Sequence, residues 1–204
     1  MLCNHDTPEP QRFESVGLPH AGVEIRITNP ETNAELPAGK QGSIYIRGYL
    51  AMGGYYNKPE ANQRVFAEEG WMDTGDAGYV DEMGHLYITG RNKELINRGG
   101  EKIYPKEIEH FLIQQPAIRD VQVIGVPSDK YGEEVMACVI LHEGKTMTNE
   151  EIRQLVKENF AYYKVPKYVH FISSYPLTAS GKVQKFKLRS QIMQNENWHE
   201  VAAQ

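Results

Sequence analysis

The sequence predicts an α+β protein in two parts, a β-rich part over residues 1–92 and a compact α+β part over residues 93–204. Three observations predict it. Short runs that alternate apolar and polar residues, punctuated by glycine and proline, dominate up to Asn92. From Lys93 onward, helical and strand periodicities alternate. A capping-box spacing from Thr148 to Glu151 then opens the most regular amphipathic pattern in the chain.

In chain order, Val23–Ile27 and Gly42–Arg47 alternate and read as strands, and Gly84–Ile88 follows the turn Asp81-Glu82-Met83-Gly84 as a third. Pro59 suits the first turn of a short helix, with Glu60, Ala61, Asn62 and Gln63 behind it. Pro105 opens a second helix, whose Ile108, Phe111 and Leu112 share one face and should cover a sheet. Val121–Ile124 reads as a strand. Val135–Ile140 is so continuously apolar that both faces of its strand are expected to be buried. The helix after Thr148 carries Ile152, Leu155, Val156 and Phe160 on one face, and Val169–Ile172 reads as another short strand. The second part is thus a domain of about 110 residues.

Composition narrows the function. A hydrophobic content of 40% in 204 residues is that of a globular protein, and no apolar run is long enough for a membrane-spanning helix. A formal charge of −5 argues against nonspecific nucleic-acid binding. The basic run Lys182, Lys185, Lys187 and Arg189 reads mostly as a solvated helix face. Cys3 and Cys138 are far apart and have no metal-ligand spacing, so neither a disulfide framework nor a metal site is expected. Val201-Ala202-Ala203-Gln204 is not a peroxisomal address, and a cytoplasmic location is expected. His85, His110, His142 and His170 read as surface or sheet residues. Tyr162, Tyr163 and Tyr168 suit a core better than a base-stacking surface.

Three places carry chemistry. Gly99-Gly100, between Arg98 and Lys102, admits two readings: a tight hairpin, or a bare loop that lets backbone approach a phosphate between two cations. Neither a Walker loop nor a Gly-x-Gly-x-x-Gly turn occurs, so any nucleotide site is built differently. Asp76, after Gly75, either ends a turn or binds paired hydroxyls, since a carboxylate accepts two hydrogen bonds. Lys182, after Ser180-Gly181 in a flexible turn, is either a surface lysine or a point charge delivered to a reaction centre.

Trp71-Met72-Asp73-Thr74-Gly75-Asp76, then Gly90-Arg91 with the stretch Lys93–Lys102, then Pro176-Leu177-Thr178-Ala179-Ser180-Gly181-Lys182, resemble the late motifs of the adenylate-forming (AMP-binding) enzymes. Lys93–Lys102 and Val126–Glu134 most resemble acyl-CoA synthetases of the oxalyl-CoA synthetase-like and peroxisomal CoA synthetase group. The resemblance implies an ATP-dependent carboxylate–CoA ligase, with residues 1–92 as the end of the large domain and residues 93–204 as the lid.

It also implies roles. Asp76 binds the ATP ribose, Arg91 contacts ribose or phosphate, and Lys182 is catalytic. Lys93 is the hinge about which the lid rotates between two half-reactions. Arg98, Gly99, Gly100 and Lys102 contact CoA, with Gly100 lining the pantetheine channel. The expected partners are ATP, CoA and a carboxylic acid, with Mg2+ held by ligands outside this chain. Leu177 stands where relatives carry lysine, which removes a cation but leaves Gly181 and Lys182. Nothing matches the upstream phosphate loop or the Tyr-Gly-x-Thr-Glu motif, so the chain is expected to be a C-terminal fragment starting just after it and inactive alone. An adenylation domain loading a carrier protein, or a noncatalytic nucleotide-binding module, are the alternatives.

Overall fold

A computed structural model describes Cys3 and residues 7–194. Met1 and the C-terminal Val201–Gln204, on which two of the expectations above rest, lie outside the described residues. The chain divides into two compact units, Met1–Lys93 and Glu94–Gln204.

In the first unit, helix α1 (Glu9–Glu14) precedes strands β1 (Val23–Thr28) and β2 (Gly42–Gly48). Helix α2 (Pro59–Val65) leads to β3 (Met72–Val80) and β4 (Leu86–Arg91). The four strands form one antiparallel sheet in the order β1-β2-β3-β4. Ile27, Ile44 and Leu86 are its buried core, with Ile25, Leu36, Ile46 and Val80 packed around them. Trp71 is buried beneath two guanidinium groups, Arg26 at 4.4 Å and Arg47 at 4.6 Å from its ring centroid. This stacking keeps apolar area and cations together.

One expectation changes here. The stretch containing Asp76 reads in sequence as a turn, yet it is the middle of β3, where three residues of β3 stand opposite one of β2. Glycine and aspartate suit such a bulge although both are poor strand formers. Of the surface or sheet positions expected for His85, the structure has it buried just before β4, its Nδ1 3.2 Å from Asp81 Oδ2.

The second unit begins with the hairpin β5 (Ile96–Arg98) and β6 (Glu101–Ile103). It continues through α3 (Pro105–Leu112), β7 (Ile118–Ser128), β8 (Gly132–Leu141), α4 (Asn149–Asn159), β9 (Tyr168–Phe171) and α5 (Lys185–Met193). The sheet order is β6-β5-β8-β7, with β9 parallel to β8. Thr148 and Glu151 form both halves of the capping box that starts α4. Long β7 and β8 pair from Ile118–Leu141 to Ser128–Gly132.

The apolar run in β8 is buried on both faces. Val135, Ala137 and Val139 meet Ile108 and Leu112 of α3 and Ile152 and Val156 of α4, while Met136 and Cys138 meet Leu188 and Ile192 of α5. Helix α5 is thus the cover of the second face. Its basic residues are not a purely solvated face: Lys185 is paired with Glu94 and Glu109, and Arg189 with Glu133. Tyr163 and Tyr168 pack on the core, whereas Tyr162 is exposed.

The Leu112 side chain is fully buried in the larger core, so Leu112→Ala is expected to lower the unfolding free energy of the second unit by about 2–5 kcal/mol. Urea titration followed by far-UV circular dichroism measures this, and a change below about 1 kcal/mol would contradict the packing described. Burial pushes the Cys138 thiol up to about 12. At pH 8 the folded chain is therefore expected to take up iodoacetamide at Cys3 only, as read by intact mass, with Cys138 reacting once the chain is unfolded.

Candidate functional site

Apart from Lys93, the candidate residues fall on three surface structures, one in the first unit and two in the second. In the first unit, Asp76 and Arg91 are direct partners across β3 and β4. The Asp76 carboxylate is held by its backbone rather than by chance. Gly75, at φ +75°, turns the chain through the left-handed region, and its amide donates to Asp73 Oδ1 at 2.8 Å. The Thr74 hydroxyl donates to the Ile44 carbonyl at 2.9 Å and accepts the Asp76 amide at 3.2 Å.

Arg91 Nε lies 3.3 Å from Asp76 Oδ1, with the arginine side chain 67% exposed. Such an exposed ion pair contributes on the order of 0–1 kcal/mol, so a ligand can exchange with it at little cost. The pair offers an acceptor and a cation side by side, which is what a ribose next to a phosphate requires.

The hairpin Arg98–Glu101 turns on Gly99 (φ +61°) and Gly100 (φ +98°). Successive positive φ values are the signature of a type I′ connection, so Gly99-Gly100 forms a tight hairpin. The Asn97 Oδ1 accepts the Gly100 amide at 2.9 Å, and the Gly99 amide donates to the Tyr131 carbonyl at 2.9 Å. A Cβ on Gly99 would stand 3.0 Å from the Tyr131 ring, while one on Gly100 would meet nothing within 4 Å. Gly100 is the open face of the turn.

Arg98 turns inward. Its Nε hydrogen-bonds to the buried Glu134, and its guanidinium lies 4.1 Å over the Tyr131 ring. A hydrogen bond from Lys130, with Arg98 beside it, holds the Tyr131 phenol below its ordinary range. Arg98 thus braces the hairpin from below, and its charge is already neutralised by Glu134. Lys102 faces Asn97 across the hairpin.

The third structure presents Lys182. Leu177 and Val183 form an isolated antiparallel bridge. Above it, the Thr178 amide donates to the Lys182 carbonyl at 2.8 Å, and the Gly181 amide to the Thr178 carbonyl at 3.0 Å. The Lys182 amide donates to Thr178 Oγ1 at 3.0 Å. The turn that reads as flexible in sequence is a small closed hairpin with Gly181 at φ +79°. Lys182 itself is exposed. Lys93 is also exposed, in a single 3-10 turn, Asn92–Glu94, at the boundary between the units.

Sequence reading misses the polar frame under these turns: Glu94, Glu109, Tyr131, Glu133, Glu134 and Lys185. One signal was available. Glu109 sits on the same helical stripe as Pro105, Ile108 and Leu112, and a charge on a buried stripe needs a partner. Among the described residues no group of three or more histidines, cysteines or acids is placed to hold a metal. No helix among them is long and apolar enough to cross a membrane.

Residues 107–182 match the AMP-binding enzyme C-terminal domain family, and residues 1–56 match the AMP-binding enzyme family. Medium-chain acyl-CoA ligase ACSF2, mitochondrial, of Bos taurus is 44% identical over 199 residues, covering 97% of this chain and 32% of that protein. The ATP-bound crystal structure of MatB from Rhodopseudomonas palustris superposes with a TM-score of 0.81 at 38% identity, over 87% of this chain and 35% of that one. The amide bond synthetase McbA from Marinactinospora thermotolerans does so with a TM-score of 0.80 at 35% identity, over 87% and 36%. The chain therefore spans about a third of the proteins it matches. With both families matched in chain order and the fold shared over nearly all of its length, this chain belongs to the AMP-binding, adenylate-forming enzymes.

Proposed function

We propose that this chain serves an ATP-dependent carboxylate–CoA ligase that works through an acyl-adenylate. Residues 1–92 close the nucleotide-binding domain and residues 93–204 form its lid, which turns about Lys93. The observation that carries this reading is the closed, hydrogen-bonded hairpin that holds Lys182 exposed and away from any core.

In the first half-reaction a substrate carboxylate oxygen attacks the α-phosphorus of ATP, and pyrophosphate leaves with the bond electrons. Negative charge accumulates on the phosphoryl oxygens in that transition state. A cation placed there stabilises it more than the ground state. Lys182 supplies that charge and orients the attacking carboxylate. Asp76 takes the ribose hydroxyls, and Arg91, released from its weak ion pair, contacts the ribose or a phosphate.

In the second half-reaction the CoA sulfur, having lost its proton, attacks the acyl carbonyl and AMP leaves. Here Lys182 is withdrawn and the Arg98–Lys102 hairpin lines the thiol channel, with Gly100 as the surface the pantetheine passes. Gly99, Gly100 and Lys102 face the ligand, and Arg98 holds the hairpin for them. Magnesium commonly assists such phosphoryl chemistry; no group that could hold it occurs among the described residues, and its ligands would come from outside this chain. The two unpaired cysteines favour a reducing compartment such as the cytoplasm.

In the intact enzyme, Lys182→Ala is expected to slow pyrophosphate release by a few hundred- to a thousandfold, corresponding to roughly 3–4 kcal/mol. Conversion of a preformed acyl-adenylate to acyl-CoA should be unchanged, and undiminished pyrophosphate release would sink the reading. Asp76→Ala is expected to raise the KM for ATP by roughly ten- to a hundredfold, the loss of one or two hydrogen bonds to a charged group, with a smaller effect on the KM for CoA. Offering CoA, a phosphopantetheinylated carrier and a free amine to the same preparation identifies the acceptor. Product with CoA alone supports a ligase, and product with the others alone removes it. The 204 residues by themselves should release no pyrophosphate.

A further inference from the structure

The Lys182 hairpin stands on two feet, and one of them is an ion network that its proposed chemistry does not use. At its entrance, the Tyr175 hydroxyl donates to the Cys138 carbonyl on β8 at 2.8 Å. At its exit, the Gln184 amide donates to the Pro176 carbonyl at 2.9 Å, and its side chain donates to the Leu177 carbonyl at 2.6 Å. The next residue is Lys185. Its Nζ lies 2.6 Å from Glu109 Oε1 and 2.8 Å from Glu94 Oε2, with only 13% of the side chain exposed.

Glu109 is itself immobilised. Its Oε1 also accepts the Val123 amide of β7 at 2.8 Å, and Lys106 Nζ lies 3.1 Å from Oε2 as a charge contact. Lys185 is therefore pinned to a carboxylate that is pinned to the sheet. Its other partner, Glu94, directly follows Lys93.

Beyond the buried Leu188 and the Arg189–Glu133 pair, the start of α5 has little else to hold it. No side chain caps it, and its first turn carries Lys185 and Lys187, cations at the end of the helix dipole that disfavours them. Buried ion pairs rarely contribute net stability over an apolar pair of similar shape, because desolvation offsets most of the attraction. What such a pair supplies is a single geometry. Lys185 is three residues beyond Lys182, with Val183 opposite Leu177 in the bridge and Lys182 and Gln184 both hydrogen-bonded across the hairpin, so where Lys185 is fixed the whole turn is fixed.

We propose that Lys185, through Glu109 and Glu94, is the positioning residue for Lys182, setting where its ammonium stands during adenylate formation. This rests on the role given to Lys182 above. A displacement of about 1 Å in a reacting group can cost about a hundredfold in rate, which is the scale of the effect expected.

The test has two arms. In the first, amide hydrogen exchange is followed in the 204-residue chain. Lys185→Met should speed exchange at residues 178–184 and leave β7 and β8 as they are, while Lys185→Arg should restore the wild-type pattern. Unchanged exchange at 178–184, or a general rise across the sheet, overturns the proposal. In the second, half-reactions are measured in the intact enzyme. Lys185→Met should lower kcat for adenylation by about ten- to a hundredfold with KM values within about twofold, and spare the attack of CoA on preformed adenylate. An equal loss in both half-reactions means a general lid defect and overturns it.

Glu94→Gln removes one tether without leaving a buried charge unpaired, and should show the same pattern at smaller size should Lys185→Met fail to fold. Lys182→Ala runs alongside. If that variant adenylates normally, the role of Lys182 fails, and the exchange arm alone decides whether Lys185 holds the turn.

Discussion

The second unit depends on one constraint: β8 is apolar on both faces from Val135 to Ile140, so both faces must be covered. Helices α3 and α4 cover one, with Ile108, Leu112, Ile152 and Val156. Among the described residues, α5, through Leu188 and Ile192, covers the other together with Tyr168, Ile172 and Tyr175. That requirement brings the segment before α5 back across the sheet and leaves Lys182 at the surface on a closed turn. The placement of the candidate catalytic charge is thus a consequence of strand burial, reached through a helix that contributes no chemistry of its own.

Polar groups then specify what apolar packing leaves loose. Hydrophobic contact is non-directional, and a helix can slide on a sheet at small cost. Glu109, Glu134 and Lys185 are each largely withdrawn from water, and each is matched by a partner on a different element. Leaving any of them unpaired would cost several kcal/mol, so slid arrangements are penalised even though the correct one gains little. Arg98 belongs to the same frame. Its charge serves Glu134 and Tyr131, and the hairpin it supports exposes glycine backbone instead.

In the first unit a bulge does comparable work. Three residues of β3, Thr74, Gly75 and Asp76, stand opposite one of β2 and leave regular pairing with it, and the Gly75 and Asp76 amides bond to the Asp73 and Thr74 side chains instead. Asp76 then emerges in register with Arg91. A weak, exposed pair at that point is suited to exchange with a ligand, in contrast to the buried pairs of the second unit.

The repeating elements were legible in the sequence because their causes are local. Alternation marked β1, β2 and most of β4, proline marked the starts of α2 and α3, and the Thr148–Glu151 spacing marked α4. The continuous apolar run of β8 announced burial on both faces. The site motifs were legible for the same reason: Thr74-Gly75-Asp76, Gly99-Gly100 and Gly181-Lys182 each carry their turn chemistry within a few residues. Only tertiary structure decided that Asp76 lies within a strand opposite Arg91, that Arg98 faces inward, and that Lys185 is a tether rather than a solvated lysine. Each of these depends on a partner distant in the chain, 76 residues away for Lys185 and Glu109. Periodicity and turn propensity carry no information about which distant charge will share a buried site, because that is settled by how the sheet and its covering helices pack.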